Sequence, residues 1–547
     1  MSAYFDTHEV LNQASPLEAY DVFGADRALT DAVDREGAPW ARAELQALGE
    51  LAGSARYQEL GRVANECGPT LRTHDRYGHR IDVVDYHPAY HDLMRTAIAH
   101  GLHAGPWSDA RRGAHVARAA KVIVWYQVDA GHICPISMTY AVVPALRHEP
   151  EVAAVWEPLI RSTTYDPANR PISEKAGATC GMALTEKQGG SDVRANTTRA
   201  QPSGDGAEQS YILTGHKWFC SAPMSDGFLV LAQTTNGISC FLTPRWRPDG
   251  SRNPIRIQRL KDKLGDRSNA SSEIELLGAW AQLIGEEGRG IRTIIEMVNH
   301  TRLDCVLGSA ALMRQGVSQA IWHAMHRRAF GRVLAEQPLM TNVLADLAIE
   351  SEAATASALR LARAYDAPAT DLSESLLRRL LTPIVKYWTC KRAPQHAAEV
   401  LECLGGNGYV EESGIPRLFR QSPVNGVWEG SGNVICLDVL RAMTREPDAI
   451  AAYWSEVALA GTGNSVLARA IDDLHGDLSE PQTLEWRARS VVGRMARVFQ
   501  ASLLVRFAPD AVAEAFCAAR LGDPADVFGT LPAGTDAVAI VARHAPA

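Results

Sequence analysis

The sequence has no closely spaced cysteine pair, no nucleotide-binding fingerprint and no long apolar run. Its ten cysteines are scattered over 547 residues without a single Cys-x-x-Cys, which argues against a zinc site or a redox dithiol. We therefore expect reduced, buried thiols of a cytoplasmic protein. A Gly-x-Gly-x-x-Gly between a strand and a helix and a Walker A sequence are both missing, so a phosphate-bearing cofactor must be held in another way.

Signals for a membrane or for export are also missing. No apolar run reaches the length of a membrane span, and the first ten residues, MSAYFDTHEV, have neither the basic region nor the apolar core of a signal peptide. We therefore expect a cytoplasmic protein with no membrane partner. The formal net charge is −8, which does not favour a protein coated with basic residues for nucleic acid, although a local basic patch is compatible with that total.

The apolar pattern changes period twice along the chain. Helical spacing of three and four dominates first, then short alternating segments such as YILTG, FLVLAQT and ISCFLTP are separated by turn signals, and helical spacing then returns. The chain is too long for one compact core. We predict a mainly α, α+β fold with four parts: an N-terminal helical domain (1–178), a middle antiparallel β domain (179–288), a helical bundle (289–445) and an extra C-terminal helical domain (446–547).

The stretch most suggestive of a ligand is ALTEKQGGSDVRA, residues 183–195, at the boundary between helices and strands. Thr185 and Ser191 offer hydroxyl groups, while Gly189 and Gly190 allow backbone N–H groups to approach a ligand closely. Taken alone, this stretch is an ordinary turn that carries polar residues.

Three further stretches point to the same kind of ligand. LTGHKWFCSAP (213–223) places aromatic residues just before Ser221, which suits stacking on a flat ring with a hydroxyl at its edge. RRAFG (327–331) supplies arginines that suit phosphate, and ECLGGNGYVEE (402–412) adds a glycine-rich turn. Together they predict a large ligand with a flat ring and phosphates.

The segment VWEGSGN, residues 427–433, places one carboxylate between a tryptophan and a run of small residues. Val427 and Trp428 are expected to shield Glu429 from water, and such desolvation raises the pKa of a carboxyl group and makes it a usable base. The next segment has helical spacing, so Ser431 or Asn433 is a natural N-cap. From these seven residues alone, an ordinary capping or solvated acid is the favoured interpretation.

These motifs resemble the acyl-CoA dehydrogenase family. ALTEKQGGSDVRA matches the first signature of that family at every constrained position, and the second is met from Glu402 to Arg417 and departs only at Gln421. The resemblance covers about residues 90–443 and includes KLGDRSNASSEIEL. The chain is most similar to the AidB branch of the family, which shares GRVAN (61–65), DYHPAYHDLM (85–94), CPISMTY (134–140) and the long extension after VWEGSGNVICLDVLR (427–441).

The resemblance implies an FAD enzyme in which Glu429 is the catalytic base. In this family the corresponding glutamate removes the α-proton of an acyl-CoA while a hydride passes to N5 of the flavin. The resemblance implies that Phe219 stacks on the flavin, Ser221 reaches its N5 edge, and Arg327 and Phe330 contact the FAD of a neighbouring subunit. The full set of implied FAD-binding residues is Met182, Leu184, Thr185, Gly190, Ser191, Phe219, Ser221, Arg327, Phe330, Gly405, Gly406, Gly430, Ser431 and Asn433.

Other consequences of the resemblance concern assembly and turnover. A shared FAD site implies a homo-oligomer, and we expect a tetramer. The Phe-Gln usual after the arginine turn is replaced by Gln337 and Pro338, so the adenine end of the site is held differently. Trp428 replaces a smaller tyrosine beside the base, and Arg441 is expected to form an ion pair with Glu429, which would lower the pKa of the glutamate and weaken it as a base.

The AidB branch is described as binding double-stranded DNA through its extra C-terminal domain and protecting it from alkylation. Residues 446–547 carry a net charge of −5, yet EWRARSVVGRMARVFQ (485–500) gathers Arg487, Arg489, Arg494 and Arg497. The first, third and fourth share one side of a helix, a spacing that suits phosphates. A solvated face with intramolecular salt bridges explains the pattern equally well. If DNA binds, we expect phosphate contacts rather than base reading, with strong salt dependence.

Three functions are compatible with the sequence. The first is an FAD-containing homo-oligomer that binds double-stranded DNA, protects it from alkylation and acts weakly on an acyl-CoA or a small alkylated substrate. The second is a working short or branched-chain (isovaleryl-type) acyl-CoA dehydrogenase whose C-terminal domain serves oligomerisation. The third is a DNA-binding scaffold in which the flavin only stabilises the fold. No metal is expected, because Pro88 is typical of a first helical residue and indicates that His87 caps a helix rather than binding a metal with His91.

Overall fold

The structure, a computed structural model, describes residues 7–204, 209–368, 370–522 and 525–546. Its first part is mainly helical, and buried positions recur on the inner face of each helix. The elements are α1 (Arg27–Arg35), α2 (Arg42–Ala52), α3 (Ala55–Glu66), β1 (Thr70–His74), β2 (Arg80–Asp85), α4 (Pro88–Ala99), α5 (Gly105–Ser108), α6 (Ala114–Tyr126), α7 (Ile133–Leu146) and α8 (Pro150–Ile160).

The hairpin of β1 and β2 is an addition that the helical periodicity did not predict. Its turn depends on Asp75, whose carboxylate accepts hydrogen bonds from the backbone N–H groups of Tyr77 (2.8 Å) and His79 (2.9 Å). This is the turn that an aspartate side chain forms with its own backbone. The capping role of His87 is confirmed, because its ring accepts from the N–H of Ala89 at the start of α4.

The middle part is a seven-stranded sheet built from β3 (Cys180–Ala183), β4 (Arg199–Pro202), β5 (Ser210–Ser221), β6 (Gly227–Thr234), β7 (Gly237–Pro244), β8 (Ile255–Leu260) and β9 (Ser271–Ile284). The order is β3-β6-β4-β5-β9-β7, and β6 also pairs with β7, so the strands close into a ring around an apolar core. The expectation of a purely antiparallel domain is wrong in one respect, because β6 runs parallel to β3 and β4.

The chain then returns to helices, interrupted by the small hairpin of β10 (Arg328–Ala329) and β11 (Arg332–Val333). The helices are α9 (Gly290–His326), α10 (Pro338–Asp366), α11 (Leu372–Cys403), α12 (Ile415–Gln421), α13 (Gly432–Arg445), α14 (Pro447–Ala458), α15 (Ser465–Leu478), α16 (Leu484–Phe507), α17 (Asp510–Cys517) and α18 (Ala537–His544). The prediction of a mainly α, α+β fold is confirmed.

The C-terminal helices share one apolar core with the helices before them. Phe499 and Phe516 are fully buried in the same cluster as residues of α9, α10 and α11. Buried ion pairs cross the same boundary: Arg360 on α10 contacts Glu456 on α14 at 2.7 Å, and Arg520 contacts Glu350 at 2.6 Å. The C-terminal block is therefore held to the bundle by packing and by buried charge.

Two further observations concern the chain as a whole. All ten cysteines are free thiols and nine are buried, as predicted, but Cys67 is exposed at the end of α3. No helix in the described part of the chain combines the length and apolar character needed to cross a bilayer.

Candidate active site

Glu429 lies in a short loop between a 3₁₀ turn (Val424–Gly426) and α13. Its backbone is left-handed, with φ = 58°, and the next residue, Gly430, has φ = 105°. A left-handed conformation costs a residue other than glycine roughly 1–3 kcal/mol, and it persists only where the surroundings impose it. The direction of the Glu429 side chain is therefore determined by what holds this loop.

Two buried cations hold the loop by its carbonyl groups. Lys386 on α11 donates to the carbonyl oxygens of Trp428 (2.8 Å) and Gly430, and Arg302 on α9 donates to that of Glu429 (3.0 Å). Arg302 is itself fixed by an ion pair of 2.8 Å with Asp438 on α13. Three consecutive carbonyl groups are thus bound by side chains from two long helices.

The surroundings of Glu429 favour a carboxyl group that binds a proton readily. Burial raises the pKa of Glu429, while a hydrogen bond with Thr301 and the positive charges of Arg302 and Lys386 oppose the rise. Both cations bond to carbonyl groups, and in the described part of the chain no basic side chain forms an ion pair with the Glu429 carboxylate. This arrangement suits a general base, which needs an elevated pKa and a fixed direction.

The predicted ion pair between Arg441 and Glu429 is wrong. Arg441 is exposed and lies 3.8 Å from Asp438 instead. Because α13 begins at Gly432 and rises about 1.5 Å per residue, Arg441 is carried roughly 14 Å along the helix axis, away from the loop.

The cations that do hold the loop, Lys386 and Arg302, were missed. They lie 42 and 127 residues from the carbonyl groups that they bind. One local signal was available for Lys386, a single lysine within the apolar stretch LLTPIVKYW of α11. A charged residue on the buried face of a helix needs a specific partner.

The implied flavin-binding residues of the β domain lie beside this loop. Met182 and Leu184 pack against the same apolar cluster as Trp428. Phe219 lies where β5 bulges away from β9, between Lys217 and Cys220, and its ring is 49% exposed. Bulges are common beside active sites because they redirect side chains. Here the bulge leaves one face of an aromatic ring open for stacking.

The turn between β3 and β4 has a shape that only glycine permits. A Cβ atom on Gly190 would lie 2.3 Å from Oγ1 of Thr185, so the hydroxyl occupies the space that a larger residue would fill. Glu186 anchors the turn, because its buried carboxylate accepts from the backbone N–H groups of Thr197 and Thr198 and pairs with Lys217 at 2.8 Å. Ser191 is exposed on the same turn. Exposed hydroxyls and glycines on a fixed turn fit the polar edge of a flavin.

At the N-terminus of α13, Ser431 holds the N-cap position with extended backbone, as predicted, but its side chain does not cap the helix. Asn433 follows in the first turn, and both residues are exposed. The side chains of Ser431 and Asn433 are therefore open to a ligand, whereas the carbonyl of Gly430 is held by Lys386. The residues present therefore fit FAD at its ring end.

The remaining implied FAD residues form a second, separate group. Phe330 is 97% exposed at the turn between β10 and β11, and Arg327 donates to the carbonyl of Asn12. A Cβ atom added at Gly405 or Gly406 would meet no other described atom within 4 Å, so the surface there is open. Gln337 donates to the carbonyl of Ala329 (3.0 Å) and so stabilises the Phe330 turn from below. Within a single chain, no hydrogen bond between described residues joins this group to Glu429.

A cavity of about 1270 Å³ lies between α3, the end of α9, the β8–β9 loop and residues 404–420. Lys263 and Asn269 line it, and so does Arg417, one of whose guanidinium nitrogens is buried without a partner among the described residues. Glu429 does not line this cavity. In the described part of the chain, no group of three or more histidine, cysteine or acidic side chains is arranged to hold a metal ion.

The four predicted DNA-binding arginines are engaged within the protein. Arg487 and Arg494 both pair with Asp477 on α15, at 3.0 and 2.6 Å. Arg497 donates to the carbonyl of Arg520, and Arg489 donates to the hydroxyl of Tyr387.

Of the two interpretations of these arginines, an open row for phosphates and a face with intramolecular bonds, the structure favours the second. The physical reason is the return of the chain through α15, which places an acid opposite two arginines that lie seven residues apart on α16.

Comparisons with known families and proteins agree with this geometry. Residues 12–167 match the family described as the adaptive response protein AidB N-terminal domain, residues 181–278 match the acyl-CoA dehydrogenase middle domain, and residues 288–444 match the acyl-CoA dehydrogenase C-terminal domain.

The similar proteins include bacterial and animal members. AidB of Escherichia coli (strain K12) is 46% identical over 521 residues, which is 95% of this chain and 95% of that protein. Acyl-CoA dehydrogenase family member 11 of Caenorhabditis elegans is 30% identical over 86% of this chain and 80% of its own. Among solved structures, C. elegans ACDH-11 in complex with C11-CoA superposes with a TM-score of 0.85 at 26% identity, over 95% of each chain.

Proposed function

Because this chain belongs to the acyl-CoA dehydrogenase family of FAD-dependent oxidoreductases, in its AidB branch, we propose that it oxidises an acyl-CoA with Glu429 as the base. The single observation that carries this proposal is the clamped loop, in which a partly buried carboxyl with a raised pKa is held in a left-handed conformation by Lys386 and Arg302. Bound FAD supplies the acceptor for the hydride that leaves with the proton.

The residues around Glu429 have separate tasks in this reaction. The Glu429 carboxylate takes the α-proton of the thioester, and Thr301 limits its rotation by a hydrogen bond. Trp428, Met182 and Leu184 form an apolar wall that excludes water from the base, which preserves its basicity. Phe219 and Ser221 present a ring face and a hydroxyl on the β-domain side. Removal of water and fixed geometry are the contributions that proton abstraction requires.

The proposed substrate class is an acyl thioester of coenzyme A. Support comes from C. elegans ACDH-11, which was solved with C11-CoA and shares its fold over 95% of each chain. The absence of the expected ion pair between Arg441 and Glu429 removes one reason for weak turnover. We therefore rank a working dehydrogenase first among the three functions. Its substrate is either an acyl chain of about eleven carbons or a short or branched acyl chain.

The test is anaerobic titration of the purified yellow protein with acyl-CoAs, including isovaleryl-CoA and C11-CoA, followed by flavin absorbance. We expect rapid bleaching with at least one thioester and none in Glu429→Gln, whose amide is isosteric but cannot accept the proton. A wild-type flavin that stays oxidised with the whole panel contradicts the proposal. The chain length that bleaches fastest decides between the two substrate classes.

Binding of double-stranded DNA, with protection from alkylation, is a second proposed function that rests on membership of the AidB branch. The internal bonds of Arg487, Arg494 and Arg497 weaken the predicted patch. On α16, Trp486 is 94% exposed, and Arg489 is exposed although it also donates to the hydroxyl of Tyr387. We expect Arg489→Glu to reduce affinity for a DNA duplex and to flatten its salt dependence. Equal affinity of the variant and the wild type across a salt series removes this surface from consideration.

We also propose that the protein is a homo-oligomer, which we expect to be a tetramer. The reason is that the second group of implied FAD-binding residues is exposed on the surface of the single chain. Phe330, Leu339 and Tyr409 are large apolar side chains that are each at least 80% exposed. Exposed apolar side chains of this size are typical of contact surfaces. In an oligomer they would be covered by a neighbouring copy, and the second group of FAD residues would reach that copy's cofactor.

A further inference from the structure

A lysine and two serines form a continuous hydrogen-bond chain that ends at Ser221. The ammonium group of Lys263 lies 3.2 Å from Oγ of Ser271, which lies 3.1 Å from Oγ of Ser221. Ser221 and Ser271 are direct partners across β5 and β9, so the ladder of the sheet holds their spacing. Neither of these two contacts is needed for the proton abstraction described above.

The direction of this chain follows from the chemistry of its first member. Lys263 also bonds to the carbonyl oxygens of Asp266 (2.9 Å) and Asn269 (2.7 Å), so three acceptors surround its nitrogen. In its charged ammonium form the lysine donates all three bonds and has no lone pair with which to accept one. Ser271 must therefore accept from Lys263 and donate its own proton to Ser221. Ser221 then accepts, and its proton is available to an acceptor beyond the chain.

Few groups compete for that last proton. The thiol of Cys134 is the neighbour that bonds with Ser221, and it is a weak acceptor whose pKa burial raises to about 12. The charge of Glu429 also raises the pKa of this thiol. Two buried carboxyl groups act on Lys263. One is Asp129, and the other is Asp266, which has no hydrogen-bond partner among the described residues and whose pKa burial raises to about 7.

We propose that Lys263 is a positioning residue that acts through Ser271 to keep the hydroxyl of Ser221 as a hydrogen-bond donor toward the flavin edge and thereby favours the oxidised cofactor. The inference rests on the proposed function, because it needs FAD beside Ser221. The positive charge polarises both hydroxyl groups in one direction, and bonds in such a series strengthen one another. An oxidised flavin would accept this hydrogen bond at N5, whereas a reduced flavin carries a hydrogen on N5 and would lose it.

The test measures the midpoint potential of bound flavin in the full-length protein by equilibration with redox dyes. We expect Ser271→Ala to raise the affinity for reduced relative to oxidised FAD about tenfold, the size of one charge-assisted hydrogen bond, and so to raise the midpoint potential. For a two-electron couple this is about 30 mV. Lys263→Met should have the same effect, the double variant should have no more than either, and Ser271→Thr should restore the potential because it keeps the hydroxyl.

The matched control is Ser272→Ala. Ser272 is the next residue on β9, faces the other way and donates to the carbonyl of Cys220, so its removal perturbs the strand without touching the chain. We expect no change in potential for this variant. Because Lys263 also supports its own loop, the decision rests on Ser271→Ala, which leaves those bonds intact.

The outcomes separate the inference from the proposed function. The inference is overturned if the midpoint potential of Ser271→Ala is unchanged. It is also overturned if Lys263→Met shifts the potential by the same amount when Ser271 is already alanine, because the lysine would then act through space. Failure of the wild-type protein to bind FAD, measured by quenching of FAD fluorescence, contradicts the proposed function instead. A shared, non-additive shift with a silent Ser272→Ala supports the chain.

Discussion

Replacing Lys386 with methionine tests whether the base is held through its backbone. Methionine keeps most of the apolar stem of lysine and removes the ammonium group that binds the carbonyl oxygens on both sides of Glu429. Each hydrogen bond to a charged donor contributes about 1.5 kcal/mol net of desolvation at the lower end, so the loss of two costs about 3 kcal/mol. That is comparable to the roughly 1–3 kcal/mol stored in a left-handed residue, so the loop is expected to relax.

Relaxation of the loop should affect the rate more than the affinity. A shift of about 1 Å in a reacting group can cost about a hundredfold in rate, and the acyl-CoA does not bind through Lys386 in our proposal. We therefore expect anaerobic stopped-flow flavin reduction to slow about a hundredfold, with the half-saturating acyl-CoA concentration little changed. The pKa of Glu429 read from the rate profile should rise, because a nearby positive charge that favours the carboxylate has been removed.

Lys391→Met is the matched control for this experiment. Lys391 lies on the same helix α11 but is exposed, and among the described residues neither hydrogen bonds nor ion pairs link it to the Glu429 loop. It should reduce at the wild-type rate and unfold at the wild-type urea concentration. If Lys386→Met also behaves in this way, the reasoning that the cations position the base through its carbonyl groups is refuted.

The same geometry makes four further predictions. Glu429→Gln should be more stable than the wild type in urea at neutral pH and lose this advantage in acid, because a carboxyl with a raised folded-state pKa destabilises the fold only when ionised; equal curves at both pH values contradict it. Glu456 has a folded-state pKa of about 2, so its contribution to the free energy of unfolding is present above pH 4.5 and is lost as the pH falls toward 2. Glu456→Ala should lower the free energy of unfolding by about 3–5 kcal/mol at pH 7 and flatten its dependence on pH. Gly190→Ala should displace the Thr185 hydroxyl and weaken FAD binding, whereas an unchanged dissociation constant would show that the turn does not hold the cofactor. Phe330→Ser should shift light-scattering mass toward smaller species, and the wild-type mass would exclude this side chain from the contact.

The packing of the C-terminal helices indicates a structural role for them. The sequence suggests an added module for DNA, yet α16 lies against α10, α11 and α13, and its buried side is part of the main core. Arg489 reaches from α16 to Tyr387, one residue after the lysine that holds the active-site loop. The extension is therefore positioned to support α11, the helix that carries Lys386.

Local patterns were sufficient for the class of fold, whereas the role of Glu429 as a base was implied by the family resemblance. Changes from a period of three and four to a period of two predicted where helices give way to strands, because burial of one face imposes that period on any chain. The turn at residues 183–195 and Glu429 could be singled out because glycine and hydroxyl residues at set spacings are needed for close approach to a ligand. These properties depend on neighbours within a few residues.

The partners of charged groups were decided by tertiary structure alone. Arg441 is close to Glu429 in sequence but is carried away by α13, whereas Lys386 and Arg302 are distant in sequence and meet the same loop. The arginines of α16 looked free until Asp477 returned opposite them on α15. Periodicity states which face of a helix is apolar, but an ion pair or a hydrogen bond needs atoms within about 3 Å. Only the packing of whole helices against each other sets distances of that size between residues far apart in the chain.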